Sequence, residues 1–230
     1  MISKSILENC LFFDIETVGS YENFWDLEKK EPHLAELWKK RAKWLEKKDE
    51  FEKNDVSSLW ENKSSLHPEF GKIVCVSFGI LKDGEIKLTS FYGDDERYIL
   101  ENVNKILANS RIKSYRLSGQ NIKNFDIPYL GKRMLINGIN PDPMIHFWNK
   151  KPWEVNLLDL AEVFSFGAWG QTFSSLDLIS YSLGIKGSKE NMDGSLVHSN
   201  FWKNKETEEI KKYCEEDVTC TIRCFEKISS

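Results

Sequence analysis

Asp14 and Glu16 stand two residues apart inside an apolar run, LFFDIETVG, near the start of the chain. On a strand, residues i and i+2 leave the same face, so both acids point one way. Two carboxylates buried there are costly unless something positive compensates, and a metal ion is the simplest compensation. Other Asp-x-Glu pairs, such as Asp26/Glu28 and Asp94/Glu96, fall in polar, helix-forming surroundings where solvation accounts for them. A third acid, Asp126, falls in the first turn of a helix, where it either leans toward the strand ends or stabilises the helix dipole. A fourth, Asp217, follows Tyr213 by one helical turn, so the two share a face. Its neighbours Glu215 and Glu216 read as solvated surface acids. Converging carboxylates of this kind suit phosphodiester hydrolysis. Two divalent ions roughly 4 Å apart place the nucleophile in line and neutralise charge on the phosphate. Magnesium prefers oxygen ligands and keeps waters, so a few Asp and Glu suffice. A tyrosine beside the attacking water can orient it by hydrogen bonding.

These residues need elements to position them. Cys10 to Thr17 has the length and composition of a buried strand. Residues 21–70 differ: they carry four of the eight tryptophans and dense Lys and Glu. Leu34, Leu37, Trp38, Trp44 and Leu45 fall close to one helical stripe and Pro32 suits a helix start, predicting one or two amphipathic helices inserted after the first strand. The expected use of that stripe is packing on the core, against the alternatives of flanking the site or binding a partner. Two apolar runs, Lys72 to Leu81 and Glu85 to Gly93, surround Asp83-Gly84 and predict a hairpin. A helix over Tyr98 to Leu107 follows, then a strand at about Tyr115 to Gly119, a helix from about Asn124 to Ile136 and a strand at Asn156 to Leu160. Phe173 to Leu183 reads as a helix, Gly187 to Asn200 as a loop, and Lys205 to Ile228 as a long terminal helix. A hairpin followed by alternating helix and strand predicts an α/β fold, a mixed sheet with helices on its faces.

Composition bounds the classes. An apolar fraction of 40% and 230 residues suit a single domain over 1–230 with room for the insertion at about 21–70. The N-terminal segment lacks the pattern of a signal peptide. No run of about eighteen apolar residues is present, so no membrane span is expected. A cytoplasmic protein is the expectation. Cys10, Cys75, Cys214, Cys220 and Cys224 are odd in number with no Cys-x-x-Cys pair, which predicts reduced core thiols rather than disulfides or a zinc ribbon. The net charge of −4 does not advertise a nucleic-acid binder. An enzyme that grips one strand end through bound ions, however, takes its positive charge from the metals.

FFDIETVG, GQNIKNFDIPYLGKR and IKKYCEEDV together resemble the three motifs of the DEDD exonucleases, tyrosine subtype (DEDDy). Their wording is most similar to bacterial predicted 3′–5′ exonucleases related to the proofreading domain of family B DNA polymerases. FGKIVCVSFGI and DGSLVHSNFW are similar too, so the resemblance extends over nearly the whole chain. It implies a ribonuclease H-like fold: a mixed five-stranded sheet flanked by helices, with the helical insertion after the first strand. It also implies two Mg²⁺ or Mn²⁺ ions on Asp14, Glu16, Asp126 and Asp217, with Tyr213 near the attacking water. Thr17, Asn121 and Phe125 would touch the terminal nucleotides, although Thr17 could simply end the strand, Asn121 hold a turn and Phe125 belong to the core. Lys189 occupies about the place of an active-site lysine, where a cation could stabilise phosphate charge; a solvated loop lysine is the alternative. Asp159 is either an auxiliary acid or a structural hydrogen-bond acceptor. Relatives often carry His where this chain has Gln120, which leaves the local geometry open. Lys212 stands where the histidine subtype has its general base, which favours the tyrosine subtype. The substrate implied is the 3′ end of single-stranded DNA, favoured over RNA and released as nucleoside monophosphates, with DNA repair or replication proteins acting in trans. Two other readings stay open: a ribonuclease D-like enzyme acting on RNA, and an inactive module that only binds nucleic acid or protein. All four acids and the tyrosine are present, against the last.

Overall fold

A computed structural model describes residues 2–48, 55–151, 154–168, 174–187 and 194–229. Its centre is a five-stranded mixed sheet in the order β3-β2-β1-β4-β5. The strands are β1 (Cys10–Gly19), β2 (Gly71–Lys82), β3 (Glu85–Tyr92), β4 (Arg116–Gly119) and β5 (Leu157–Asp159). The hairpin β2–β3 and the β1–β2 pair are antiparallel, while β4 lies parallel to β1 and β5 parallel to β4. Asp83 and Gly84 both adopt positive φ (55° and 81°), as a two-residue turn matched to the twist of its strands requires.

Strand β1 sits in the middle and is covered on both faces, so its period of two assigns each side chain to a layer. Leu11, Phe13 and Ile15 pack toward α5 (Glu96–Ala108) and α6 (Asp126–Ile136). Cys10 and Phe12 pack toward the terminal helix α10 (Thr207–Ser229), with the Phe12 ring 5.9 Å from Phe225. Asp14 and Glu16 continue this second set. The strand runs two residues beyond the expected Thr17, and its register with β2 shifts between Glu16 and Thr17, a bulge immediately after the second acid.

Among the described residues the insertion holds three helices rather than one or two: α2 (Phe24–Lys30), α3 (Pro32–Lys48) and α4 (Val56–Lys63), with α1 (Lys4–Leu7) preceding β1. The insertion has its own core, where Trp38 meets Trp60 and Phe70 edge-on at 5.2 and 5.1 Å. The expected single stripe on α3 is split. Trp38 is fully buried, but Leu37 and Trp44 are 40% and 48% exposed. At about 100° per residue, Leu37 and Trp44 align with each other and lie a quarter-turn from Trp38.

Short helices α7 (Leu160–Phe164), α8 (Leu176–Ser182) and α9 (Val197–Ser199) complete the chain. Phe173, the expected start of α8, is outside the described residues. Of the expected loop Gly187 to Asn200, residues 194–200 wind into 3₁₀, α and π turns, the last running on to Asn204. That segment grips the end of β1. His198 Nδ1 accepts from Gly19 N–H at 3.1 Å, its Nε2 lies 2.8 Å from the Glu22 carbonyl, and Trp202 Nε1 donates to the Gly19 carbonyl at 3.1 Å. A Cβ on Gly19 would come within 2.4 Å of Ser64 Oγ, so only glycine allows this approach. The five cysteines are free and buried, as expected. Among the described residues, no helix is long and apolar enough to cross a membrane.

Candidate active site

Three elements far apart in sequence deliver the four acids to one place. From β1, Asp14 and Glu16 face α10; a ligand atom from each, together with Cys214 Sγ, lies within 4.8 Å of the others. Asp126 is the first residue of α6 and is buried. Its Oδ1 accepts the Ile15 N–H at 3.1 Å, which fixes this carboxylate against the strand between the two other acids. On α10, Tyr213 and Asp217 share a face, and the Asp217 carboxylate is the charge that bears most strongly on the buried Tyr213 hydroxyl. Asp126 and Asp217 are not part of the tight trio, yet both act on it through space: the charges bearing most strongly on Asp14 are those of Asp126, Asp217 and Glu16.

The electrostatics follow from burial and like charge. Asp14 and Glu16 are pushed well above the usual carboxylate range, first by burial and then by their acidic neighbours. Asp126 is raised to about 8, mainly by burial; hydrogen bonds from its own N–H and that of Ile15 oppose the rise. Tyr213 is also raised by burial and the surrounding carboxylates, so its hydroxyl keeps its proton.

Cys214 was expected only as a core thiol. The structure places its S–H 3.5 Å from Asp14 Oδ2 and equally far from the Asp14 carbonyl. Burial holds this thiol well above its ordinary pKa, so in the metal-free chain it meets Asp14 as a weak S–H donor. It is one residue after Tyr213, but that adjacency does not reveal which helix face meets the strand.

Strand β4 ends at Gly119, where a Cβ would fall 2.6 Å from the Phe13 carbonyl oxygen. Asn121 then takes φ +57°, a conformation asparagine tolerates better than most residues. Asp159, expected as an acid with two alternative uses, holds this turn. It is buried and accepts N–H groups from Asn121 (2.8 Å), Lys123 (3.1 Å) and Ala161 (2.9 Å). Burial raises its pKa against the effect of those three donors. Asp159→Ala strands these donors and is expected to cost about 2–3 kcal/mol, read as a lower urea midpoint at unchanged m-value.

The other expected residues divide. Thr17 does not end the strand; its hydroxyl donates to the Ser65 carbonyl at 2.9 Å. Asn121 holds the turn, its Oδ1 accepting from Asn124. Phe125, half-buried, packs on the core 5.4 Å from the Tyr129 ring and serves as N-cap residue of α6, one residue after the expected start at Asn124. Gln120 Nε2 donates to the Ser174 carbonyl at 2.8 Å. Lys189 lies outside the described residues. Lys212 pairs with Glu209 on the surface at 2.6 Å. Two acids expected to be solvated are not. Glu96 is buried, ion-paired to Arg133 at 2.5 Å and accepting the Ile73 N–H at 2.7 Å. Glu215 is half-buried and accepts from Ser90 Oγ at 2.6 Å. In both cases the partner comes from an element remote in sequence, which local polarity cannot reveal.

The profile of the predicted 3′–5′ exonucleases related to the exonuclease domain of PolB matches residues 63–229. The chain belongs to that family. The matched stretch contains Asp126, Tyr213 and Asp217. Asp14 and Glu16 precede it and join the site through β1, which pairs with β2 and β4 inside the match. No curated protein matches the chain. A family B DNA polymerase from the hyperthermophilic archaeon Pyrobaculum calidifontis superposes with a TM-score of 0.54 at 15% identity, over 95% of this chain and 24% of the polymerase chain. At that identity the likeness is one of fold: the α/β architecture, with its mixed five-stranded sheet and flanking helices, is consistent with the ribonuclease H-like fold. The chain thus spans about a quarter of the polymerase's length. Membership of the family supports a nuclease function.

Proposed function

We propose that this family member removes nucleotides from the 3′ end of single-stranded DNA, releasing nucleoside monophosphates by two-metal chemistry of the DEDDy type. The observation that carries the reading is the convergence of Asp14, Glu16, Asp126 and Asp217 from β1, α6 and α10 on one buried spot.

The donor set fits hard divalent cations. It is dominated by carboxylate oxygens, with Cys214 Sγ beside Asp14 and Glu16. The burial and mutual repulsion that raise these pKa values are what a pair of Mg²⁺ or Mn²⁺ ions would offset. Asp14, Glu16, Asp126 and Asp217 would hold them, and the ions would supply neutralisation of phosphate charge and acidification of the attacking water. The Tyr213 hydroxyl, beside Asp217 and kept protonated, orients that water by hydrogen bonding. Thr17, Asn121 and Phe125 border the acids and contact the terminal nucleotides, Phe125 by stacking. Lys189 stabilises charge on the phosphate.

Tyr213→Phe is expected to lower kcat about tenfold to a hundredfold with KM nearly unchanged. A raised KM at constant kcat would make Tyr213 a substrate contact instead.

Relatedness to the exonuclease domain of PolB favours DNA over RNA. The reading is tested with 5′-labelled DNA and RNA strands and manganese, alongside strands blocked at the 3′ end. Stepwise shortening of unblocked DNA, slower on RNA, supports it. Faster digestion of RNA points to 2′-hydroxyl recognition and the ribonuclease D-like reading. Cutting of blocked strands, or no digestion of any strand, overturns it.

A further inference from the structure

We propose that helix α3 of the insertion and the start of α6 form a cradle for the single strand upstream of the cleaved end, so that the insertion is a substrate-binding device. This rests on the exonuclease reading and names the surface by which that site holds its substrate.

Between the two helices lies an open groove of about 680 Å³. Leu37, Lys40, Arg41 and Trp44 line it from α3, Phe125 from the N-cap of α6, and Lys132 from α6, where it pairs with Glu69 of the same lining at 3.1 Å. The exposed half of the split stripe therefore faces this groove. Trp38, a quarter-turn away, already packs the insertion onto its own core, so core packing does not explain Leu37 and Trp44.

The charge of α3 runs against that of the chain. Its sequence PHLAELWKKRAKWLEKK carries six Lys or Arg and two Glu, in a protein of net charge −4. The Arg41 guanidinium lies 4.5 Å from the centre of the Trp44 ring and 3.3 Å from His67 Nδ1, a flat cationic and aromatic surface held in place. Bases stack on such surfaces whatever their identity, while lysines beside them meet the phosphates.

None of the four acids lines the groove, and the chain itself links the two. Phe125 lines the groove and immediately precedes Asp126, and Leu66, also in the lining, follows the residue whose carbonyl accepts from Thr17. A strand whose last nucleotides reach Asp126 passes Phe125 and arrives at Trp44. An acidic protein segment would match the lysines but has no use for the stacking surface.

The test measures binding of labelled oligonucleotides of about four and about twelve nucleotides by fluorescence anisotropy, in an Asp14→Asn background that leaves the probe intact. Trp44→Ala is expected to weaken the longer strand about tenfold and the shorter one less than about twofold, and Trp44→Phe to restore most of the loss. Lys40→Ala is expected to reduce the slope of log K against log salt by about 0.7. Trp44 is half exposed, so its truncation opens no buried cavity, and Lys40→Ala reports independently of it. Unchanged affinity and salt slope, or equal weakening of both lengths, overturns the cradle. So does loss of binding to polyglutamate, rather than to the strand, in Lys40→Ala. Digestion by the wild-type chain with Trp44-independent binding sinks the cradle alone; Trp44-dependent binding without digestion supports the cradle and sinks the exonuclease reading.

Discussion

Asp14→Asn is expected to cut magnesium-dependent removal of 3′ nucleotides by at least about a thousandfold while leaving the circular dichroism spectrum unchanged. Asparagine keeps the shape of the side chain and an oxygen that can still accept from the Cys214 S–H. What it loses is one negative charge at the point where three other carboxylates act. If Asp14 holds a cation, that charge helps position an ion worth several kcal/mol of transition-state stabilisation, and each 1.36 kcal/mol is tenfold in rate. The same change should make the metal-free protein more stable, since it removes mutual repulsion from a buried cluster. Activity and stability therefore move in opposite directions, which separates this outcome from simple misfolding. Digestion at the wild-type rate would remove Asp14 from the chemistry.

The second large effect is on stability against pH. In the metal-free folded chain Asp126 titrates at about 8, and Asp14 and Glu16 also lie well above the ordinary carboxylate range. Their unfolded values are near 4. Between those limits the folded state binds more protons than the unfolded state, so stability is greatest at low pH and falls as pH rises through the folded pKa values. His198 is buried and His67 half-buried; both have lowered pKa values and act oppositely below about pH 6.5. The thiols of Cys10 and Cys214, raised by burial, add to the fall toward pH 8.5, so the interval from pH 7 to 8.5 is read in wild type against Asp14→Asn. Without divalent ions, Tm is expected to fall by about 5 °C, roughly 2 kcal/mol, across that interval. Magnesium at millimolar levels should raise Tm most at the higher pH, where the acids are ionised and the ions bind the folded state alone. A Tm indifferent to magnesium at pH 8.5 would contradict the proposed ligand set.

The parts of this molecule legible in the sequence are those written in local periodicity. The apolar setting of Asp14 and Glu16 separates them from the other Asp-x-Glu pairs, Asp83-Gly84 marks its turn, and the spacing of Tyr213 and Asp217 defines a helix face. What stayed hidden depends on contacts between distant segments. His198 falls in the expected loop and Trp202 just beyond it, yet together they hold both polar groups of Gly19. Glu96 looked solvated because its partner, Arg133, lies 37 residues away. Five large apolar residues clustered in sequence give α3 a single stripe; only packing shows that Trp38 turns inward while Leu37 and Trp44 do not. Asp159 could be read two ways because its role is fixed by the N–H groups of a turn before Asp126.

If the four acids share a pair of divalent cations, both ions are visible by anomalous scattering at the manganese edge from crystals of the wild-type chain grown with Mn²⁺. Two peaks roughly 4 Å apart are expected, bounded by the carboxylates of Asp14, Glu16, Asp126 and Asp217 and both lost in Asp14→Asn. Manganese bound elsewhere, with these four carboxylates bare while the crystals still digest a soaked oligonucleotide, would contradict that sharing.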